Sequence, residues 1–252
     1  MPVVAGDAGG ADPEFRAVMS AGPRRGRVPD RLPRAVVFDM DGLMLDTERL
    51  ERELWRTVVA RRGGEFPDSL YAALVGRRES DSAPTLREHL GAGFALEEAR
   101  AEVRKLWRER TAVDGAPLKP GLHELLNCLE ASSLPTAAAT STARERALES
   151  LGPLAMRFAV LCFGDEVVHG KPEPDIYRLA AARLTLEPRD CLALEDSPAG
   201  LAAAEAAGMP AILIPDLVEP EVEPRYRLES LAEVTAWLRP ALEACPTSAD
   251  SL

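Results

Sequence analysis

Five short apolar runs recur along the chain from residue 35 onward, and helical patterns separate them. The runs cover residues 35–38, 136–139, 158–163, 191–194 and 211–214. Runs of this length, apolar throughout, are typical of strands that are buried on both faces of a parallel sheet. Because the strands alternate with helices, the pattern predicts an α/β fold with a doubly wound parallel sheet.

About 95 residues separate the first two runs, far more than a single crossover helix requires. Apolar residues recur there at helical spacing, and the spacing predicts helices over residues 47–62, 69–75 and 96–111. Trp55 and Trp107 stand on these patterns and are interpreted as part of a local core. The segment is therefore predicted to be an inserted, all-helical cap subdomain.

These patterns also set the domain organisation. We expect an α/β core made of residues 34–47 and 116–241, with the helical cap over residues 48–115. Residues 1–33 lack hydrophobic periodicity and are predicted to be a disordered leader, in which Met19 offers an alternative start. Residues 242–252 are predicted to be a flexible C-terminal tail.

Net charge, hydropathy and cysteine spacing argue against several kinds of partner and site. The net charge of −11 opposes binding to nucleic acid or to an anionic membrane, and no apolar stretch approaches the 18 residues of a membrane span. The four cysteines lack the spacing of a zinc site or a disulfide framework. We expect a cytoplasmic monomer or weak dimer.

Polar residues follow the predicted strands, at the edge of the sheet where α/β proteins bind ligands. These residues are Asp39, Asp41, Thr140, Ser141, Thr142, Glu195 and Asp196, together with Lys171 in the loop after the third run. Four carboxylates (Asp39, Asp41, Glu195 and Asp196) at one edge would repel one another without a cation, and an all-oxygen ligand set favours Mg²⁺. A metal, a lysine and hydroxyl groups together indicate a phosphate site and phosphoryl transfer.

The same residues resemble the four motifs of the haloacid dehalogenase superfamily, in the branch of β-phosphoglucomutase and small-molecule phosphatases. The first motif is similar to Asp39-Met40-Asp41-Gly42 and the following Asp46-Thr47-Glu48; the second, third and fourth are similar to Thr140, Lys171 and Glu195-Asp196. The resemblance covers about residues 35–240. It implies a Rossmann-like core with a helical cap after the first motif.

The resemblance also implies roles for the site residues. Asp39 would be the nucleophile and Asp41 the general acid and base. Mg²⁺ would be held by the Asp39 carboxylate, the Asp41 backbone carbonyl and Asp196, with Glu195 acting through water. Phosphoryl oxygens would be held by Thr140, Ser141 and Lys171.

Other polar residues of the motifs have simpler interpretations. Thr47 is predicted to be the N-cap of the first cap helix, where it would form a hinge with Asp46, and Thr142 is predicted to cap the helix that starts near Ala143. The three histidines are interpreted as surface or capping residues. In the cap, the candidate substrate contacts are Glu48, Glu51, Arg77 and Arg78.

The predicted function is a Mg²⁺-dependent phosphatase of a small phosphorylated metabolite. The first alternative is a sugar-phosphate mutase, whose cap histidine would stand at the position of Glu51. Dehalogenases and phosphonate-cleaving relatives lack the second aspartate of the first motif, which is present here as Asp41. A non-catalytic protein that binds a phosphorylated metabolite would not require all four motifs.

Overall fold

The structure, a computed structural model, describes residues 28–29, 31–74, 77, 79–111, 116–216 and 224–244. Its sheet has five parallel strands in the order β3-β2-β1-β4-β5. The strands are β1 Ala35–Phe38, β2 Thr136–Ala139, β3 Val160–Cys162, β4 Cys191–Glu195 and β5 Ala211–Leu213. The prediction of a parallel sheet is confirmed.

Helices connect these strands and cover both faces of the sheet. In chain order they are α1 Thr47–Ala60, α2 Asp68–Ala72, α3 Glu79–Leu90, α4 Leu96–Thr111, α5 Leu122–Ala131, α6 Arg144–Leu151, α7 Asp175–Arg183, α8 Pro198–Ala206 and α9 Leu231–Ala244. Alternate residues of β1 point to opposite faces, so Val36 and Phe38 pack with α5 and α9 while Ala35 and Val37 pack with α7 and α8.

The third strand is shorter than its apolar run predicts. Residues 158–163 are apolar, but only Val160–Cys162 form the strand. Phe158 instead packs its ring edge-on against Phe38, with the ring centroids 5.8 Å apart. A continuous apolar run therefore marked both a strand and the core contacts beside it.

The helices between β1 and β2 have an apolar core of their own. It is drawn from residues 54–107 and contains both tryptophans that the sequence assigned to it, with Trp55 stacked on Phe66 at 5.5 Å. Helix α3 was not predicted, because its sequence includes Pro84 and only Leu86 of its apolar side chains is buried. Helix α1 ends at Ala60 and α2 covers Asp68–Ala72, so both are shorter than predicted. The cap boundaries at residues 48 and 115 stay predictions.

Both ends of the described chain are more ordered than the hydrophobic pattern indicates. Val28 and Leu32 pack against the core within the predicted leader, which corrects that prediction for these positions. Helix α9 continues to Ala244, and Leu242 also contacts the core, so the predicted tail begins too early. Residues 1–27 and residue 30 of the predicted leader, and residues 245–252 of the predicted tail, lie outside the described residues.

Four charged side chains connect the start of α1 to the core. Lys119 of the core lies 3.2 Å from Asp46 and 2.7 Å from Asp216. Arg49 of α1 lies 2.6 Å from the same Asp46 and 2.8 Å from Asp216. Burial raises the pKa of Asp46, but Lys119 and Arg49 outweigh it and the net shift is downward. Two cations and two anions thus fix the junction at which the cap begins.

No helix in the ranges that the structure describes is both long enough and apolar enough to cross a membrane.

A carboxylate outside the sheet edge joins three core elements. Glu166 accepts hydrogen bonds from Arg183 at 2.9 and 3.1 Å, from Arg144 at 2.5 Å and from the backbone N–H of Phe163 at 3.0 Å. The Arg183 bonds, although opposed by burial, together with the other donors lower the pKa of Glu166 from 4.5 to about 2. Its ionised form is therefore the form that stabilises the fold.

We expect Glu166→Gln to lower the free energy of unfolding by about 1–2 kcal/mol at pH 7, because the bonds to the arginines lose their ionic character. Since the folded-state pKa is depressed, the carboxylate stabilises the protein fully above pH 4.5 and loses this effect as the pH falls toward 2. Urea denaturation of both proteins at several pH values measures the difference. A destabilisation that stays constant down to pH 2 would contradict this assignment.

Candidate active site

The predicted site residues meet at the carboxyl ends of β1, β2 and β4. Asp39 follows β1, Thr140 follows β2 and Glu195 is the last residue of β4. Strand β1 lies between β2 and β4, where the chain reverses its direction of progress across the sheet. Such a switch point opens a crevice outside the strand ends, which explains why these side chains converge.

Lys171 brings a positive charge into this crevice from the segment between β3 and α7. Its ammonium donates hydrogen bonds to Asp39 and, at 2.5 Å, to Glu195, and all three side chains are buried. Burial lowers the pKa of Lys171, but the two carboxylates outweigh it and the net shift is upward. Lys171 is therefore a charged partner of both acids.

One lysine does not balance the acids around it. Oxygen atoms of Asp39, Glu195 and Asp196 lie within 4.8 Å of one another, and all three residues are buried. Burial raises the pKa of Asp39 to about 8, with further upward shifts from Glu195 and Asp41 that Lys171 only partly offsets. Burial and the nearby Asp39 and Glu195 carboxylates likewise raise the pKa of Asp196. This acidic triad is an all-oxygen set of donors that fits a hard divalent cation.

Two further groups hold Glu195 in place. The hydroxyl of Tyr177, on α7, donates to Glu195, and the ring of the same tyrosine lies 5.2 Å from the Lys171 ammonium. Ser197 donates to the other carboxylate oxygen at 3.3 Å and accepts the Gly200 backbone N–H at the start of α8. A Cβ at Gly200 would lie 1.9 Å from the Glu195 carboxylate, so this carboxylate requires glycine there.

Asp41 lies apart from the triad and accepts hydroxyl donors from both the cap and the core. Thr47 at the start of α1 and Thr142 after β2 each donate to its carboxylate at 2.8 Å, and the hydroxyl of Thr140 lies 3.5 Å away. The predicted capping roles of Thr47 and Thr142 are therefore wrong. Asp46 and Ala143 occupy the N-cap positions. The two threonine hydroxyls bind a carboxylate instead, and a hydrogen bond to an ionised acceptor is stronger than one between neutral groups.

The predicted cap residues have different surroundings. Glu48 is buried and accepts the hydroxyl of Tyr71, and burial raises its pKa well above the usual value, with a further upward contribution from Glu51. Glu51 forms an ion pair at 3.4 Å with Arg146 of the core helix α6. Arg77 lines the cleft described below, whereas Arg78 lies outside the described residues.

A cavity of about 480 Å³ lies between cap and core. Asp39, Asp41, Thr140, Ser141 and Thr142 line its core side. Helices α1 and α4, together with Leu74 and Arg77, line its cap side. This volume accommodates a small molecule whose reacting group reaches Asp39.

Sequence reasoning missed the roles of Tyr177, Tyr71 and Thr142. Tyr177 lies six residues after Lys171 on an otherwise apolar helix face, and a buried hydroxyl requires a partner. That requirement is the only signal in the sequence, and it does not identify the partner.

Comparison with known proteins agrees with this geometry. A family model described as "haloacid dehalogenase-like hydrolase" matches residues 33–208. A Thermotoga maritima protein named phosphorylated carbohydrates phosphatase is 37% identical over 179 residues, which are 69% of this chain and 82% of the relative. The Arabidopsis thaliana (DL)-glycerol-3-phosphatase 2 is 36% identical over 196 residues, 72% of this chain and 79% of the relative.

Solved structures show the same relationship. A CbbY variant from Rhodobacter sphaeroides in complex with xylulose-1,5-bisphosphate superposes with a TM-score of 0.70 at 27% identity, over 80% of this chain and 96% of that one. The chain therefore belongs to the haloacid dehalogenase-like hydrolases, among the phosphatases of that family and the relatives of CbbY.

Proposed function

We propose that this enzyme is a Mg²⁺-dependent phosphatase of a small phosphorylated metabolite and that it works through an aspartyl-phosphate on Asp39. One observation carries the proposal: the buried Asp39 carboxylate, which is paired with Lys171 and belongs to the acidic triad, opens onto a cavity between cap and core. A charge cluster with a purely structural role would not require a cavity beside the carboxylate of Asp39.

The first half of the reaction uses Asp39 and Asp41. The Lys171 ammonium holds one oxygen of Asp39, and a carboxylate oxygen attacks phosphorus. A new bond forms between this oxygen and phosphorus while the ester bond breaks, and the leaving alkoxide takes a proton from Asp41. Thr47 and Thr142 fix the Asp41 carboxyl group in the orientation that this transfer needs.

The second half returns the enzyme to its starting state. Water attacks phosphorus, Asp41 takes the proton that the water loses, and the bond between Asp39 and phosphorus breaks. Inorganic phosphate leaves, and the Asp39 carboxylate is restored. Lys171, Thr140 and Ser141 contribute donors for the phosphoryl oxygens, because a dianion needs positive charge and hydrogen bonds from several directions.

The acidic triad supports the metal proposal. Asp39 and Asp196 would hold Mg²⁺ directly together with the backbone carbonyl of Asp41. Glu195 is tied to Lys171 and Tyr177, which suits a role through a bound water. When bound, the ion neutralises the clustered carboxylates and the phosphate, so that an anionic nucleophile can approach an anionic substrate.

Two observations favour hydrolysis over the mutase alternative. At the position where resemblance to the mutases requires a histidine, Glu51 forms an ion pair with Arg146 and cannot serve as a cationic contact for a second phosphoryl group. Both curated relatives described above are named as phosphatases. Water is therefore the proposed acceptor of the phosphoryl group.

We expect Asp39→Asn to lower kcat by at least about 10⁴-fold, because an amide cannot attack phosphorus. The test is phosphate release from a panel of sugar phosphates, polyol phosphates and nucleotides, with folding monitored by circular dichroism. Asp165→Asn, which also changes an acid lining the cavity, is the control and should keep its activity.

Three results would contradict this proposal. Activity of Asp39→Asn above a hundredth of wild type would remove the nucleophile assignment. Formation of an isomeric sugar phosphate without release of inorganic phosphate would identify a mutase. Binding without turnover across the whole panel would identify a binding protein.

Metal dependence has a separate test. We expect chelation with EDTA to abolish phosphate release and Mg²⁺ to restore it, and we expect Mg²⁺ to raise the Tm of wild type because it binds only the folded triad. Asp196→Asn should lose this Mg²⁺-dependent shift in Tm, whereas Asp165→Asn should keep it. An equal shift in both variants would place the metal elsewhere.

A further inference from the structure

Three arginines of the cap stand in one row on the wall of the cavity. Arg100, Arg104 and Arg108 are spaced four residues apart on α4, so they share one face of the helix, and all three line the cavity. The row is about 12 Å long, given a rise of 1.5 Å per residue. Arg100 is buried, Arg104 is half-buried and Arg108 is exposed, so the row runs from the interior of the cap to the surface of the protein.

The opposite face of α4 differs in character. Lys105 and Glu109 form an exposed ion pair at 3.8 Å and do not line the cavity, and neither does Arg110. Positive charge thus occurs on both faces of the helix, but only the row of Arg100, Arg104 and Arg108 adjoins the space for a substrate. This arrangement also provides matched control residues on the same helix.

Neighbouring groups hold the inner end of this row in place. Arg100 contacts Glu97 at 3.1 Å and Ser82 at 3.3 Å. Next to Arg108 in the sequence, the ring of Trp107 lies 5.2 Å from the guanidinium of Arg146, and this contact joins the core helix α6 to α4. Burial of an arginine beside a cavity is costly unless anions neutralise it, and a bound anion would add to this neutralisation.

The remaining walls carry mostly negative charge, although Arg77 and Arg146 also line them. Asp39, Asp41, Glu48 and Glu51 line the end near the predicted nucleophile, and Glu145 and Glu149 of α6 line the core side. A second anionic group of the substrate, apart from the phosphoryl group under attack, is therefore repelled by these acids and attracted most strongly to the row of three arginines on α4.

We propose that the row of Arg100, Arg104 and Arg108 is a second anion subsite and that the substrate carries a second anionic group, a carboxylate or another phosphate, distant from the phosphoryl group that is hydrolysed. This inference rests on the proposed phosphatase function and specifies its substrate class. The row lies on the cap, so the second anion also connects the substrate to the cap while Asp39 acts from the core.

The test compares matched pairs of phosphate esters at saturating free Mg²⁺. One pair is glycerol 3-phosphate and 3-phosphoglycerate, which differ by a carboxylate, and the other is glucose 6-phosphate and glucose 1,6-bisphosphate. We expect wild type to prefer the member with the second anion in at least one pair, with a kcat/KM higher by about 10-fold or more. A ratio of this size corresponds to the contribution of about one hydrogen bond to a charged group. The two pairs distinguish a carboxylate from a phosphate.

Variants on the two faces of α4 assign the preference to the row of arginines. Arg104→Gln and Arg108→Gln should each reduce the ratio of kcat/KM within the preferred pair several-fold. Lys105→Gln and Arg110→Gln remove one positive charge from the outward face and should leave the ratio unchanged. Equal reduction by all four variants would show a long-range charge effect and would overturn the subsite.

A binding measurement separates this inference from the proposed function. Titration calorimetry with Asp39→Asn needs no turnover, and we expect it to show tighter binding of the member with the second anion. For the bisphosphate the gain should exceed the factor of two that arises because either phosphate can occupy the reacting site. Hydrolysis without any preference, or equal binding within both pairs, would overturn the subsite and leave the phosphatase intact. Preferential binding that Arg104→Gln abolishes, with no hydrolysis by wild type, would support the subsite and overturn the phosphatase.

Discussion

The contact of Lys171 with Asp39 and Glu195 is the interaction on which the site depends. Three carboxylates are buried together at the end of the central strands, and within the part of the chain that the structure describes a single ammonium, that of Lys171, binds them. Such a cluster is costly in a low-dielectric interior, so its geometry must be fixed from outside. Tyr177, Ser197 and the absence of a side chain at Gly200 fix Glu195, and Glu195 in turn fixes the lysine. The negative charge that remains unbalanced suits the cluster to the divalent cation that we propose for it.

The position of this cluster follows from features that the sequence makes visible. Strands β1 and β2 begin and end where their largely apolar runs do, because a strand that is buried on both faces carries few polar positions before it reaches the sheet edge. The residues that follow the strands are therefore predictable as neighbours. Helix α3 was not predictable in the same way, since it buries little apolar surface, and Phe158 shows that a core contact resembles a strand residue in sequence.

The sequence indicates which residues form the site, but it indicates less well which of them form hydrogen bonds with one another. Thr142 and Asp41 are 101 residues apart, and the hydroxyl of a threonine before a helix serves a cap or a carboxylate equally well until the fold decides which is nearer. The same holds for Thr47, which lies at the start of α1 but donates to Asp41. A motif thus indicates which groups would react, while the groups that orient them depend on contacts between distant segments.

The cap and the core have different roles in the proposed reaction. Residues that would carry the chemistry belong to the core, and the cap joins it through the charged junction of Asp46, Arg49, Lys119 and Asp216 and through the ion pair of Glu51 with Arg146. The cap wall can therefore change its charge without moving the nucleophile. In this chain α4 presents a row of three arginines to the cavity although the net charge is −11, so positive charge lines part of the space that a substrate would occupy. If both proposals hold, substrate choice and reaction chemistry are encoded in different segments of one chain.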